Sequence, residues 1–300
     1  MRWISLRVPA SSANLGPGFD AVGIALSLRV RAEVVPARAF SLAFDPGIEA
    51  PSHDGFGAAI VRAMQRIDRK LPPVKVRVHN DIPLGKGLGS SAAASVLGLA
   101  IAARASGRNL SRHELGGLAC ALEGHPDNAL PAVFGSVVVA ASSDARAYLR
   151  VRATSRRMPR ALVVIPDVVL ATADARALLP LRYDRADVVF TAQRAALLGA
   201  ALASGAWGEM REAMRDRFHQ PYRAGRIPGM EEALALDGRG MIGSALSGAG
   251  PSLIAFLRPN AAWQSVARRL ADCFARAGVA TRALALDFCA RGLIVSSVRA

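Results

Sequence analysis

The chain has 300 residues, a length that suits one large domain or two smaller ones, and its apolar fraction of 52% is ample for a buried core. No apolar run is long enough to span a bilayer and the N-terminus shows no signal peptide, so we expect a cytoplasmic protein without a membrane partner. The net charge of +15 is compatible with nucleic acid, but also with phosphorylated or acidic small molecules.

The form of the basic charge favours small molecules over nucleic acid. Of the 38 basic side chains only Lys70, Lys75 and Lys86 are lysines, and the arginines are scattered without a run of four. Aromatic residues make up 5% of the chain, so platforms for stacking single-stranded bases are scarce. The three cysteines are far apart and odd in number, without metal or redox spacing, which fits a reducing cytosol.

The first part of the chain alternates strands with a long polar segment. A strand is predicted at 4–8, followed by a loop at 9–20 rich in Ser, Gly and Pro. These are turn-forming residues, which by themselves indicate an ordinary loop. Because Asn14 and Asp20 have small neighbours that leave them open, we favour a loop that binds a ligand. Paired strands at 25–35 and 39–44 and a helix at 56–67 follow.

The rest of the chain is organised around a glycine-rich loop. A strand at 74–78 leads into Gly85, Gly87 and Gly89, which alternate along the loop, and a helix is predicted at 91–105. Glycine lets a ligand approach the main chain, and the N–H groups at a helix start attract anions. This order predicts a phosphate site, although the Walker spacing is absent. The alternative is a tight turn before a core helix.

A second helix is expected from Ser111 to Leu122, because Ser111 with Glu114 three residues later forms a capping box. It leads into Glu123 at a helix C-terminus, where the macrodipole disfavours a carboxylate. Either a divalent cation offsets that cost or Glu123 is simply solvated. His125 and Asn128 are expected in the turn that follows.

The second half begins with a linker at 152–159, after strands at 134–141 and 147–151. Residues 216–230 are expected to be irregular, and a glycine turn at 247–252 is either a plain hairpin turn or part of a nucleotide site at a domain junction. The remaining predicted strands lie at 161–166, 241–246, 253–257, 280–286 and 292–298. The remaining predicted helices lie at 172–180, 184–203, 207–214 and 261–277.

Three segments, 9–20, 83–92 and 247–252, together resemble the signature motifs of the GHMP kinases. Within that superfamily, residues 8–20 and 123–128 are similar to the homoserine kinases, as is the Phe134-Gly135 pair that follows. The resemblance covers the whole chain. It implies an enzyme that uses ATP and Mg²⁺ to phosphorylate the hydroxyl of L-homoserine, a step toward threonine. A homodimer is compatible with the sequence.

The resemblance also implies roles for individual residues. Those that would surround the ATP phosphates are Pro83, Leu84, Gly85, Lys86, Gly87, Leu88, Gly89, Ser90, Ser91, Ala92, Gly248 and Gly250. Ser91 and Glu123 match the magnesium ligands and, with Asn128, the catalytic positions. Those that would surround homoserine are Asn14, Asp20, His125, Asn128, Thr172, Arg176 and Arg223. Arginine suits a carboxylate because it donates two parallel hydrogen bonds, and Asp20 suits an ammonium group.

The implied fold class is α+β, the two-domain GHMP kinase fold: a ribosomal S5 domain 2-like N-terminal domain (1–155) and a ferredoxin-like C-terminal domain (156–300). The pattern strand–strand–helix–strand–strand at 241–298 agrees with the latter. Three departures stand out. Ser136 replaces a second glycine, residues 52–57 lack the usual Asn near adenine, and Asn128 replaces the aspartate that is the usual candidate base.

Three other interpretations remain. One is a GHMP kinase for a different small molecule, against which the Glu-Gly-His-Pro-Asp-Asn run argues. Another is a catalytically silent relative that binds or regulates, which the intact Ser91, Glu123 and glycine loops disfavour. The last is a nucleic-acid-binding protein, suggested only by the net charge and the S5-like fold.

Overall fold

The computed structural model describes residues 3–45, 55–151, 159–238 and 240–298. The strands are β1 (Trp3–Asn14), β2 (Gly18–Pro36), β3 (Ser41–Phe44), β4 (Val74–Asn80), β5 (Val137–Ala140), β6 (Tyr148–Val151), β7 (Ala161–Pro166), β8 (Met241–Leu246), β9 (Leu253–Leu257), β10 (Thr281–Leu286) and β11 (Ile294–Val298). The helices are α1 (Phe56–Ile67), α2 (Ser90–Ala105), α3 (Arg112–Glu123), α4 (Pro126–Phe134), α5 (Thr172–Ala177), α6 (Arg185–Ser204), α7 (Met210–Ala213), α8 (Gln220–Ala224), α9 (Met230–Ala235) and α10 (Trp263–Arg276).

Within the residues that the structure describes, the first lobe is a seven-stranded sheet covered by helices α1–α4. Its strand order is β11-β1-β2-β4-β3, and β5 pairs with the beginning of β2 and with β6. All pairings are antiparallel except β3 with β4. Helix α2 packs against α1, α3, α4 and β1, and its residues from Ala92 to Ala103 are all buried. Its alanines and Gly98 allow this close packing, since a Cβ on Gly98 would overlap the Ile60 carbonyl oxygen.

The second lobe is a four-stranded antiparallel sheet in the order β10-β7-β9-β8. Helices α5–α9 connect β7 to β8, and α10 connects β9 to β10. This arrangement of strands and helices is the expected ferredoxin-like one. The predicted last strand does not join it: β11 pairs antiparallel with β1 in the first lobe. The division into 1–155 and 156–300 stays a prediction, because residues 152–158 of the predicted linker lie outside the described residues.

The second sheet serves two hydrophobic cores at once. Because successive side chains of a strand face opposite sides, Ala161, Val163 and Ile165 of β7 join the core of the first lobe. Leu162 and Val164 face the other way and pack in a second core with α9 and α10. The two lobes are therefore joined by buried apolar surface.

The segment 9–20, which the sequence analysis expects to be a loop, is mostly strand. Residues up to Asn14 belong to β1 and those from Gly18 belong to β2, so only 15–17 form a turn. The pairing of β1 with β2 contains register shifts at Pro9/Ala10 and Ala13/Asn14. These irregularities, with positive φ at Asn14, Leu15 and Asp20, reconcile a polar, turn-rich composition with a sheet.

Two strand predictions are also corrected. The segment at 39–44 narrows to β3, which pairs with β4 and not with β2, because β4 already occupies that edge of β2 between Val30 and Pro36. The predicted strand at 134–141 begins only at Val137, because Phe134 ends helix α4. Ser136 lies between them with φ of 67°, a conformation that glycine adopts more easily.

Two helices appear where the sequence indicated turns or irregular chain. Residues 126–134 form α4, so Asn128 is helical and only Gly124 and His125 separate α3 from α4. Pro126 occupies the first turn of α4, a position that suits proline. Within 216–230, residues 220–224 form α8, with Pro221 again in its first turn.

Among the described residues, α6 alone is long and apolar enough, by length and composition, to cross a membrane. The sequence-based expectation considered uninterrupted apolar runs, and α6 is not such a run, because Arg185, Asp187 and Arg194 lie within it. That expectation is therefore not contradicted by α6 and stays a prediction. In the fold, α6 packs on α7 and β2 and buries Leu198, Ala201 and Leu202.

Candidate active site

A cavity of about 310 Å³ lies where the glycine loop, the β1–β2 turn and the β8–β9 hairpin meet. Nearly all of the predicted site residues line it: Asn14, Asp20, Gly85, Gly87, Leu88, Gly89, Ser90, Ser91, Ala92, Glu123, His125, Asn128, Thr172, Arg176, Arg223, Gly248 and Gly250. They come from segments that lie far apart in the sequence, so only the folded chain brings these segments together.

Three predicted site residues face elsewhere. Pro83, Leu84 and Lys86 line a neighbouring cavity of about 510 Å³ between β4, β7 and β10. The Lys86 ammonium group donates hydrogen bonds to the carbonyl oxygens of Pro166 (3.3 Å) and Val168 (2.9 Å) in the second lobe. In this structure the lysine of the glycine loop therefore ties the lobes together.

The glycine loop requires its glycines for steric reasons. Gly87 and Gly89 have φ of 71° and 68°, in the left-handed region. A Cβ on Gly87 would overlap the Ser247 carbonyl oxygen and lie 2.7 Å from that of Gly250. A Cβ on Gly89 would overlap the Ser11 hydroxyl oxygen. Gly89 caps the N-terminus of α2, whose unpaired N–H groups and dipole attract an anion at the cavity.

The β8–β9 hairpin holds this loop in place. The Ser247 hydroxyl group donates to the Gly87 carbonyl oxygen (2.7 Å), and the Ser252 hydroxyl group donates to that of Lys86 (2.6 Å). The Gly248 N–H group also donates to the Ala13 carbonyl oxygen at 3.0 Å. The segment is thus a hairpin turn, as one interpretation of the sequence had it, and it also forms a wall of the cavity.

Glu123 and Ser91 lie together beside the start of α2. One carboxylate oxygen of Glu123 accepts hydrogen bonds from the hydroxyl groups of Ser91 (3.1 Å) and Ser95 (2.7 Å). These bonds stabilise a carboxylate at the C-terminus of α3, where the helix dipole opposes it. A carboxylate with an adjacent hydroxyl group is a donor set that suits Mg²⁺, which takes one or two carboxylates and completes its shell with water and phosphate oxygens.

The Asn128 amide has a defined orientation. Its Oδ1 accepts a hydrogen bond from the Ser11 hydroxyl group (2.8 Å), so the Nδ2 group is the part that remains for a ligand. An amide cannot take up a proton as a carboxylate would. Asn128 is therefore suited to orienting a hydroxyl group and not to deprotonating it.

Asp20 and Arg176 form a bidentate ion pair across the cavity, with both N–O distances at 2.9 Å. This pair raises the pKa of Arg176 above its usual value. The Asn14 amide accepts from the Asp20 N–H group (3.0 Å) and donates to the Gly248 carbonyl oxygen (2.8 Å), which fixes the backbone of Asp20. A cation and an anion thus lie side by side at the wall of the cavity.

Arg223 is the most deeply placed cation of the site, with 2% of its surface exposed. Its Nε donates to the Ala175 carbonyl oxygen at 3.1 Å, and its guanidinium lies 5.1 Å from the centre of the Phe19 ring. Burial, with a contribution from neighbouring Arg176, lowers the pKa of Arg223 from its usual value. A buried cation that lines a cavity is a strong site for a carboxylate.

The sequence analysis missed several residues of the cavity. The most important is Asp127, which is 2% exposed and accepts a hydrogen bond from His125 Nδ1. This bond raises the pKa of His125. Asp127 lies inside the motif that singled out its neighbours, so its carboxylate was the available signal. The other missed residues are Ala13, Phe19, Leu122, Leu170 and Ala249.

Comparison with known proteins agrees with this geometry. The family model described as "GHMP kinases N terminal domain" matches residues 58–136, and "GHMP kinases C terminal" matches residues 198–276. A homoserine kinase of Solibacter usitatus is 40% identical over 294 residues, covering 97% of this chain and 96% of that protein. A homoserine kinase of Deinococcus radiodurans is 38% identical over 303 residues, covering 99% and 98%.

A solved structure extends the similarity to the fold. The crystal structure of homoserine kinase from Cytophaga hutchinsonii matches with a TM-score of 0.83 at 23% identity, and the match covers 99% of this chain and 98% of that one. The expected α+β GHMP kinase fold is thereby confirmed. By its matched domains and its near full-length relatives, the chain belongs to the homoserine kinase family of the GHMP kinases.

Proposed function

We propose that this chain transfers the γ-phosphoryl group of ATP to the side-chain hydroxyl group of L-homoserine, giving O-phospho-L-homoserine and ADP. The observation that carries the proposal is a single cavity that combines an anion-binding glycine loop with an acidic and two basic side chains for an amino acid. The near full-length homoserine kinase relatives support the same substrate.

The phosphate groups of ATP bind where the glycine loop meets the start of α2. Main-chain N–H groups neutralise charge there without a flexible side chain, and Gly248 and Gly250 close the site from the second lobe. Ser91 and Glu123 are the residues that would hold Mg²⁺, which neutralises charge on the transferring group when it is bound. Lys86 is not needed for this step, because its ammonium group is engaged with the second lobe.

The zwitterionic part of the substrate binds at the opposite end of the cavity. Asp20 faces the ammonium group, while Arg176 and Arg223 face the carboxylate. In this structure Asp20 and Arg176 form an ion pair with each other. An amino acid carries one charge of each sign, so its binding leaves the net charge of the cavity unchanged. Asn14 and Thr172 complete the polar wall, and His125 lies beside Asp127.

In the chemical step, the substrate oxygen forms a bond to the γ-phosphorus while the bond to the β–γ bridging oxygen of ATP breaks, and the hydroxyl proton leaves. The Asn128 Nδ2 group orients the hydroxyl group. Because Asn128 cannot accept the proton, the proton passes to a phosphoryl oxygen or to solvent. A loose phosphoryl-transfer transition state depends more on positioning and charge neutralisation than on a strong base, which suits this site.

The experiment that tests the function is a coupled ADP-release assay with Mg-ATP and a panel of L-homoserine, L-serine, L-threonine, mevalonate and galactose. We expect turnover selective for homoserine. Turnover on another alcohol would retain the ATP site and refute the assignment of the amino-acid end. No turnover despite ATP binding would favour a silent relative. Glu123→Gln should lower kcat and raise the Mg²⁺ concentration needed for half-maximal activity. Glu114 is an exposed carboxylate of the same helix, so Glu114→Gln is the matched control.

Further proposals follow from the same assignment. The enzyme acts in the cytoplasm on a step toward threonine, which fits three free cysteines. Its partner is a small molecule, with neither nucleic acid nor membrane involved. Association into a homodimer stays a prediction, which sedimentation equilibrium would test.

A further inference from the structure

His219 is buried completely between the two lobes, immediately before α8. Its Nε2 atom is 2.8 Å from the Gly16 carbonyl oxygen in the β1–β2 turn. Its Nδ1 atom is 3.2 Å from Nη1 of Arg223. The ring also lies 5.2 Å from the ring of Phe19, centre to centre. The imidazole thus connects the first lobe to the buried cation of the cavity.

These two contacts determine the tautomer of the imidazole. A carbonyl oxygen only accepts, so Nε2 must carry the hydrogen that is donated to Gly16. Nδ1 is then the lone-pair nitrogen, and it accepts a hydrogen bond from the Arg223 guanidinium. Burial lowers the pKa of His219 to about 4, and Arg223 acts in the same direction, while Asp216 and Asp20 oppose the shift. The ring is therefore neutral at pH 7.

The orientation of Arg223 depends on few groups. Among the described residues, its hydrogen bonds run from Nε to the Ala175 carbonyl oxygen (3.1 Å) and from Nη1 to His219 and to the Gly248 carbonyl oxygen (3.4 Å). The Gly248 contact is long for a strong hydrogen bond. Among the side chains that the structure describes, His219 is thus the one that accepts a hydrogen bond from this guanidinium. Arg223 also lines the cavity, and no hydrogen bond to the described residues is found for its Nη2 group.

We propose that His219 is a positioning residue for the substrate carboxylate: its neutral Nδ1 holds Arg223 in the orientation that binds the carboxylate, and its Nε2–H ties that arrangement to the turn beside Asp20. The inference rests on the proposed function. A neutral acceptor leaves the positive charge of Arg223 available to the ligand, whereas a carboxylate at this position would neutralise part of it.

Two substitutions separate the two ring nitrogens. In His219→Asn the amide oxygen takes the place of Nδ1 and can still accept from Arg223, but the bond to Gly16 is lost. In His219→Gln the amide nitrogen reaches the place of Nε2 and can still donate to Gly16, but the acceptor for Arg223 is lost. The two variants are matched in polarity and serve as controls for each other.

In the homoserine assay, we expect His219→Gln to raise the KM for homoserine by about 10-fold to 100-fold, the usual effect of losing a hydrogen bond to a charged group. The KM for ATP and kcat should change by less than about threefold. His219→Asn should recover most of the homoserine KM. Equal increases of KM in both variants, or a wild-type KM in His219→Gln, would overturn the proposal. In an Arg223→Ala background, His219→Gln should add nothing further, and an additive increase would likewise overturn it.

A second measurement does not depend on the substrate. Nitrogen-15 NMR of the wild-type protein, with His219→Gln to identify the resonances, reports which ring nitrogen carries hydrogen. We expect the neutral Nε2–H form at pH 7. An Nδ1–H form or an imidazolium would refute the proposal even if homoserine proved not to be the substrate. Wild-type turnover in the same assay panel separates failure of the proposed function from failure of this inference.

Discussion

Replacing Gly85 or Gly89 of the glycine loop by alanine should cost the same backbone energy. The two substitutions differ in the steric overlap that the new methyl group creates. Gly85 and Gly89 have nearly the same left-handed conformation, with φ of 66° and 68°. A Cβ on Gly85 would meet nothing within 4 Å. A Cβ on Gly89 would overlap the hydroxyl oxygen of Ser11 and lie 2.9 Å from Oδ1 of Asn128. Gly89→Ala and Gly85→Ala therefore differ by the contact with the Ser11–Asn128 pair.

The magnitudes follow from these two terms. Placing an L-residue in the left-handed region costs about 1–2 kcal/mol in either variant. Overpacking against a fixed neighbour adds about 1–3 kcal/mol at Gly89 only. We expect Gly89→Ala to lower the free energy of unfolding by about 2–5 kcal/mol and Gly85→Ala by about 1–2 kcal/mol. At about 2–4 °C per kcal/mol, the Tm values of the two variants should be separated by several degrees.

The assay is thermal unfolding without ATP, so that no ligand can contact either new methyl group. Replacing Ser11 by Ala removes the overlapping oxygen, so Ser11→Ala should raise the Tm in the Gly89→Ala background. The same change should lower the Tm of the otherwise unchanged protein, because it removes the hydrogen bond to Asn128. Equal Tm values for Gly89→Ala and Gly85→Ala would refute the reasoning, as would a Ser11→Ala change that lowers the Tm in both backgrounds.

Three further predictions concern the charged groups. Asp20→Asn should raise the homoserine KM by about tenfold or more, while its partially exposed ion pair with Arg176 contributes at most about 1 kcal/mol to stability; an unchanged KM in the ADP-release assay would contradict this. Lys86→Met should lower the free energy of unfolding by about 1–2 kcal/mol, because it removes the hydrogen bonds to the second lobe. The KM for ATP should stay within about threefold of the wild-type value, and a tenfold rise would show that Lys86 contacts the phosphate groups. The pKa of His219 is about 4 in the folded protein, below its ordinary value of 6.5. As the pH falls, the unfolded chain therefore takes up this proton before the folded protein does. The free energy of unfolding should consequently decrease as the pH falls from 6.5 toward 4. Measured by urea unfolding, the free energy of unfolding of the wild type should be lower at pH 4.5 than at pH 7.5 by about 2–3 kcal/mol through His219, a contribution that His219→Gln should lack. An equal decrease in both proteins would refute the assignment of a neutral, buried His219.

The parts of the site that the sequence predicted well are those fixed by local chemistry. Glycine permits the left-handed backbone conformation, and all three alternating glycines before α2 adopt it, with φ between 66° and 71°. The capping box of Ser111 and Glu114 is also local, and both of its hydrogen bonds are present. The proline at the start of α4 was a further local signal. It could have predicted that Asn128 lies in a helix and not in a turn.

The parts that the sequence did not predict depend on distant partners. His219 contacts Gly16 and Arg223, and only the folded chain brings the first of these close. The ion pair of Asp20 with Arg176 joins residues from different lobes. The segment 9–20 has the composition of a loop. Most of it is nevertheless strand, because residues of β1 remain paired with β2 on both sides of the two register shifts.

The pairing of β11 with β1 has a consequence for how the protein is made. During synthesis, β1 is followed directly by β2, whereas β11, its other neighbour, follows only after the whole second lobe has been translated. Throughout that interval, one edge of β1 exposes unpaired main-chain groups, which favour association with other strands. The first lobe therefore cannot be completed as an independent unit on the ribosome, and a fragment cut near residue 155 would retain this open edge.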